Sequence, residues 1–186
     1  MKGDRPPPIR TVGHGTLGAD AFADLVIAAG IEVIVDIRRF PGSRRHPHFG
    51  REALEAGLSE RGIHYRWMEG LGGRRHPDPD SPNTGLRNEQ FRAYADHMCT
   101  EEFSDALVEL TTLAASRVAA VMCAESVWWR CHRRLVADHL ILVENLEVEH
   151  LFHDGRLVAH APTPEARRVD HHLVYDISAQ GSLPGT

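Results

Sequence analysis

The sequence predicts an α/β protein: a three-layer sandwich with a mostly parallel sheet of about five strands, helices on both faces and a hairpin at the C-terminal edge. Two observations carry this reading. Short β-branched runs alternate along the chain with longer stretches of helical periodicity, and strands that alternate with helices build parallel sheets with right-handed crossovers. The runs "IEVIVDI" (31–37) and "RVAAVMCA" (117–124) also lack the polar alternation of a half-exposed strand, as expected of strands covered on both faces.

The elements follow in order. "IRTVGH" (9–14) is the first strand. Phe22, Leu25, Val26 and Ala29 then recur at helical spacing, and Gly30 is the C-terminal stop. The second strand, 31–37, leads into a loop and a helix over 51–62 that ends in Gly62. "IHYRWM" (63–68) is the third strand, and residues 69–87 form a loop rich in Gly, Pro and Asp. Helices over 88–98 and 101–116 precede the fourth strand, 117–124. Ser126 is placed to cap a helix over 127–144. "EVEHLFH" and "RLVAHA", joined around Asp154-Gly155, supply a fifth strand and the hairpin.

Size and composition bound the function. A chain of 186 residues with 42% hydrophobic and 25% charged content suits one globular domain with a real core. We place that domain at 9–161, with 1–8 and 162–186 as flexible or appended ends. No apolar run approaches the about 18 residues that span a bilayer, and "MKGDRPPPIR" has no apolar signal core. Three cysteines do not make a disulfide framework. The expectation is therefore a cytoplasmic protein with reduced thiols and no membrane partner. A net charge of −5 argues against a general nucleic-acid binder. All but one of the 21 basic residues are Arg, a side chain that grips carboxylate and phosphate with two prongs.

In parallel α/β folds, ligands bind beyond the carboxyl ends of the strands. The residues after each strand should then differ chemically from those before it, and they do. His14 and Gly15 follow the first strand, and Asp36 with "RRFPGSRRHPHFG" ends the second. "EGLGGRRHP" follows the third, and Cys123 with Glu125 ends the fourth. The preceding turns ("AAG", "SERGI", "AAS") are small and plain.

Three constellations emerge. The loop 38–50 carries Arg38, Arg39, Arg44 and Arg45, stiffened by Pro41-Gly42 and Pro47, and reads as an anion cradle to which Ser43 adds a hydroxyl. Its bland alternative is a solvated basic loop. Asp36, at the end of a buried strand, needs a partner and either orients an Arg or acts as a base. "GLGGRR" (70–75), with Gly72 and Gly73, can lay backbone on phosphate but lacks dinucleotide spacing, and "HPDPDSPNTG" after it is a candidate lid. In "CAESVWWRCHRRL", the wheel from Trp128 puts Cys131 and His132 on the apolar arc and Arg133 and Arg134 on its flanks. Cys123 is there the candidate nucleophile, His132 a base and Glu125 a general acid or base. Cys131 reads mainly as a buried small residue.

Other chemistries fit this corner less well. A thiol-phosphatase loop needs five residues between Cys and Arg, whereas six separate Cys123 from Arg130. A zinc site from Cys123, Cys131 and His132, with His14 as fourth ligand, needs adjacent Cys131 and His132 in one tetrahedron, and no metal or other cofactor is assigned. A Cys123–Cys131 disulfide is a further option whose geometry the sequence does not supply.

The motifs "TVGHG", "VDIRRFPGSRRHPHF", "YRWMEGLGG", "FRAYADHM", "CAESVWWRCHRRL" and "VEHL", in this order, resemble the bacterial domain-of-unknown-function family 488 over about residues 11–155. The resemblance maps recurring residues onto His14, Asp36, Arg38, Pro41, Ser43, Pro47, Phe49, Tyr65, Gly72, Gly73, Cys123, Glu125, Cys131, His132 and Arg133. It implies an α/β sandwich and a shared site, and on it Tyr65 joins the substrate-binding set. Two departures stand out: Gly15 replaces a small hydroxyl residue, and "SVWW" replaces a more polar, Pro-containing loop.

The expectation is an enzyme acting on an anionic, phosphate-bearing substrate of nucleotide or nucleic-acid type by acid/base hydrolysis. Arg38, Arg44 and Arg133 would hold the anion, Glu125 with Asp36 or His14 would move protons, and Cys123 would be nucleophile or pocket lining. The alternatives are a non-catalytic sensor of anions or thiol oxidation, and a Cys/His metal-binding protein.

Overall fold

The computed structural model describes residues 6–42 and 46–176. Among these, eight strands and five α-helices alternate as β1 (Ile9–Gly13), α1 (Ala19–Ala28), β2 (Val33–Asp36), α2 (Arg51–Ser59), β3 (His64–Trp67), α3 (Glu89–His97), α4 (Glu101–Ala114), β4 (Ala119–Cys123), α5 (Arg133–Leu142), β5 (Val148–Leu151), β6 (Leu157–Ala159), β7 (Ala166–Val169) and β8 (His172–Tyr175). The six-stranded sheet has the order β3-β2-β4-β1-β5-β6. Its first five strands are parallel, and β6 returns antiparallel to β5. The hairpin at the sheet edge is thus β5-β6, turning at Gly155 with φ +85°.

Alternation along the central strands builds two cores. Ile34, Ala120 and Met122 pack with Phe22, Val26, Leu54 and Leu58 of α1 and α2. Val33, Val35, Val121 and Cys123 face Phe103, Leu110, Leu135 and Leu140 of α4 and α5. Every residue of β2 and β4 is buried, which is why both read as unbroken apolar runs. The register Gly13↔Cys123 continues past the strand ends. His14 N–H donates to the Cys123 carbonyl at 3.0 Å, and Ile37 N–H to that of Met122 at 3.0 Å. The loops after β1, β2 and β4 therefore leave one edge of the sheet side by side.

Three expectations change. The helix after β4 does not start at 127 under a Ser126 cap. Trp128–Arg130 is a 3₁₀ turn, Cys131 is extended (φ −125°, ψ 149°), and α5 begins at Arg133. The Trp128 ring stacks on His150 of β5 at 4.1 Å and 6°, and this aromatic contact holds the chain out of helical geometry. The second change concerns the C-terminal segment. Within the 162–186 segment read as an end, Ala166–Val169 and His172–Tyr175 form the β7-β8 hairpin, with Leu173 and Tyr175 in the core. Polar anchors dock it: Tyr175 N–H donates to Asn83 Oδ1, Gly85 N–H to the Tyr175 carbonyl, and Tyr175 O–H to Asp138. Third, the second half of the candidate lid is pinned to α3, because Ser81 and Asn83 both donate to Asp96.

No helix among the described residues is long and apolar enough to cross a membrane.

Candidate functional site

A cavity of about 740 Å³ lies over the carboxyl ends of β1, β2 and β4. His14, Arg38, Gly73, Cys123, Glu125, Cys131 and His132 of the sequence-derived set all line it. Residues more than a hundred positions apart thus share one hollow, as the strand-end rule requires. Ser43 and Arg44 fall outside the described residues.

Asp36 is fully buried beneath this hollow. It accepts hydrogen bonds from Arg38 N–H (3.0 Å), Arg38 Nε and Nη2 (2.9 and 2.5 Å) and the Tyr65 hydroxyl (2.7 Å). Arg38 Nη1 donates to the Phe49 carbonyl at 2.8 Å. Of the two roles offered by the sequence, Asp36 takes the orienting one: it staples the loop after β2 to its far end and has no access to a substrate proton. Burial opposes the Arg38 charge, but the Asp36 hydrogen bonds and charge outweigh it and raise its pKa further. Tyr65 is likewise drawn inward, its pKa raised by burial and by Asp36. It belongs to this buried network and not to the cavity wall.

His14 stacks on Phe49 at 4.0 Å. Its Nδ1–H donates to the Gly15 carbonyl at 3.0 Å, which leaves the Nε2 lone pair toward Arg38 Nη1 at 3.5 Å. Burial, then the Arg38 charge, lowers its pKa to about 4, so His14 is a neutral imidazole at pH 7. Gly15 is required where it stands: its φ is +55°, and a Cβ there would overlap the Ser126 hydroxyl. The hydroxyl that the family resemblance leads one to expect at position 15 is supplied in space by Ser126.

Cys123 ends β4 on the α5 side, and Cys131 precedes α5. Both are buried and unbridged. Burial disfavours a charged Cys131, yet the hydrogen bond from Cys123, the nearby His132 and the Arg133 charge reverse this and hold its pKa well below the usual thiol range. Arg133 N–H also donates to Cys131 Sγ at 3.5 Å from the start of α5, where a helix N-terminus favours a thiolate. The Cys123 thiol is pushed the other way: its hydrogen bond to Cys131, then burial, raises its pKa. The two thiols are therefore inequivalent, with Cys131 the more acidic of the pair.

His132 Nδ1 faces Cys131 Sγ at 3.6 Å, and its Nε2–H donates to the Ile37 carbonyl at 3.3 Å. Gly73 packs flat on the ring, where a Cβ would come within 2.9 Å of Nδ1. Gly72 lets the loops after β2 and β3 touch, since a Cβ there would lie 2.9 Å from Arg39 Cα. Both glycines thus serve close packing, and Gly73 alone reaches the cavity.

Arg133 does not reach it. The side chain is 1% exposed, and Nη2 donates to the Glu125 carbonyl at 2.5 Å across the gap left by Gly13. The wheel reading placed it on a solvent flank because the helix was started six residues too early. Its charge instead sits under the thiols and shapes the Glu125 turn. Besides Arg38, which Asp36 holds, the cavity cations are Arg39, Arg74 and Arg130. The side chains of Arg74 and Arg130 make no ion pair or hydrogen bond with any described residue. The sequence signal for Arg39 and Arg74 was their place in "RRFPGSRR" and "GLGGRR"; of the latter pair Arg74, with φ +59°, lines the cavity, while Arg75 pairs with Glu102. Glu125 is exposed at the same rim.

Fold and site together define a parallel α/β protein with a thiol-floored, Arg-rimmed cavity at its topological edge. The family model described as "Domain of unknown function DUF488" matches residues 18–140, and the chain belongs to that family. The matched span holds Asp36, Arg38, Cys123, Glu125, Cys131, His132 and Arg133. No curated protein and no solved structure matches the chain.

Proposed function

We propose that the protein is an enzyme that binds an anionic, phosphate-bearing substrate of nucleotide or nucleic-acid type in this cavity and hydrolyses it by acid/base chemistry. One observation carries the reading: the uncommitted guanidinium groups of Arg74 and Arg130 share a single cavity with the exposed Glu125 carboxylate and the neutral His14. Guanidinium forks suit phosphate oxygens. Phe40 and Phe91 on the same wall offer flat apolar surface to a base. Arg38 is held by Asp36, so its remaining role is to orient His14 and contribute charge at the floor.

In this scheme water attacks the phosphoester or glycosidic centre as Glu125 takes its proton. The bond to the leaving group breaks, and Glu125 returns the proton to the departing oxygen or nitrogen. The arrangement calls for Glu125→Gln to abolish turnover of a panel of nucleotides and short oligonucleotides while leaving their affinity within about threefold. Binding of the panel by the wild type without any turnover would instead establish a non-catalytic anion-binding protein.

A further inference from the structure

The floor of the cavity carries a second chemistry. Cys123 Sγ, Cys131 Sγ and a ring nitrogen of His132 all lie within 4.8 Å of one another. We propose that these three atoms bind a zinc ion, with the fourth coordination position open to the cavity.

Four features argue for it. First, tetrahedral zinc with bonds of about 2.3 Å to sulfur and about 2.0 Å to nitrogen sets ligand atoms roughly 3.5–3.8 Å apart. Cys131 Sγ and His132 Nδ1 already stand 3.6 Å apart, and no separation in the set, all within 4.8 Å, exceeds the tetrahedral value by more than about 1 Å. Second, the objection that neighbours in sequence diverge does not hold here. Cys131 is extended and His132 is helical (φ −59°, ψ −16°), so the backbone turns between them and brings both side chains to one side. Third, the surroundings match those of metal ligands. His132 donates Nε2–H to the Ile37 carbonyl, the outer bond that fixes the tautomer and presents Nδ1 as a lone pair. Arg133 N–H caps Cys131 Sγ, and Gly73 packs against the Nδ1 side of the ring, where a Cβ would not fit. Fourth, all three residues line the same cavity, which gives the three-ligand, one-open pattern of catalytic zinc.

Soft thiolates favour zinc over calcium or magnesium, and two thiolates neutralise the ion. A bound zinc would present its open face where the Arg groups gather, and would bind water or a substrate oxygen there. The inference stands apart from the proposed substrate, because metal content is read without turnover.

The test uses the full chain, expressed with zinc in the medium and purified anaerobically without chelator. Elemental analysis should give about one zinc per chain. Replacement by Co²⁺ should produce thiolate-to-cobalt charge-transfer bands and the intense visible bands of a tetrahedral ion. Cys123→Ser and Cys131→Ser should each lose the metal, and Cys99→Ser should keep it, since Cys99 is exposed and remote from the group. If the buried variants fail to fold, the cobalt spectrum of the wild type decides alone. Substoichiometric zinc with no charge-transfer bands would overturn the site. So would zinc retained after loss of both thiols, or a Cys123–Cys131 disulfide recovered from the anaerobic preparation.

Discussion

Asp36 shows how one buried carboxylate organises the cavity floor. It has no exposed surface and accepts from four donor groups of Arg38 and Tyr65, so it holds the Arg38 loop while Arg38 charges the floor next to His14. Burying an ion pair is costly, and its net worth is small, but removing one partner strands the other. Asp36→Ala should therefore lower stability by about 3–5 kcal/mol, read as a fall in the urea midpoint with an unchanged slope. A loss below about 1 kcal/mol would mean that Arg38 finds another partner. The sequence reveals that such a residue needs a partner. It does not reveal which of its two roles wins, because that depends on Arg38 folding back onto its neighbour two residues away. The same limit applies to the cysteines. Their spacing announces a site, yet which thiol is the more acidic depends on the start of α5 and on Arg133 beneath it.

At the scale of elements, β2 and β4 were legible because every side chain is buried. The helix α4 lies within its expected span of 101–116, and Thr100, accepting from Phe103 N–H, fixes its start. The start of α5 was not legible, since Trp128 is pulled away by stacking on His150. The β7-β8 hairpin was not, since Leu173 and Tyr175 alone of its residues are buried and polar contacts complete the docking. Those contacts converge on Asp138 of α5. Thr163 N–H and hydroxyl, His160 Nε2–H and the Tyr175 hydroxyl all donate to this fully buried carboxylate. His150 in turn donates Nε2–H to His160 Nδ1 and accepts from the Thr11 hydroxyl, so the chain of bonds runs from the hairpin to β1. Tyr175→Phe deletes one bond to a charged acceptor and should destabilise by about 1.5–3 kcal/mol. Denaturant unfolding followed by circular dichroism checks this, and an unaffected midpoint would show the hairpin to be an accessory.

Over the whole molecule, the parallel sheet explains both how much of the site was legible and how stability should vary with pH. The strand-end rule brings His14, Arg38, Cys123 and Glu125 together before any loop geometry is known. Loop geometry then selects Arg74 and Arg130 and withdraws Arg133. The same burial that shapes the floor keeps histidines neutral. His14 and His139 are lowered to about 4 and His150 to about 3, each chiefly by burial. Arg38 adds to this at His14, His172 and Arg168 at His139, and His160 and Arg133 at His150. An unfolded histidine takes up its proton near pH 6.5. Between that value and about 4 the unfolded chain holds more protons, so stability is complete above about pH 6.5 and falls as pH drops. The melting temperature should therefore decrease from about pH 7.5 to about pH 5, and His139→Leu should reduce that slope. A flat profile would mean that these rings are solvated.

The chain as a whole is acidic, with a net charge of −5, so an anion that binds must be drawn by the local field of Arg39, Arg74 and Arg130 at the cavity rim. Isothermal titration of the full chain with inorganic pyrophosphate and with nucleoside monophosphates at low salt tests this claim most directly. Saturable binding at one site is expected, weakened at least about tenfold in the Arg74→Ala, Arg130→Ala double variant, or about 1.4 kcal/mol. Equal affinity in the wild type and the double variant, or no binding by either, would contradict it.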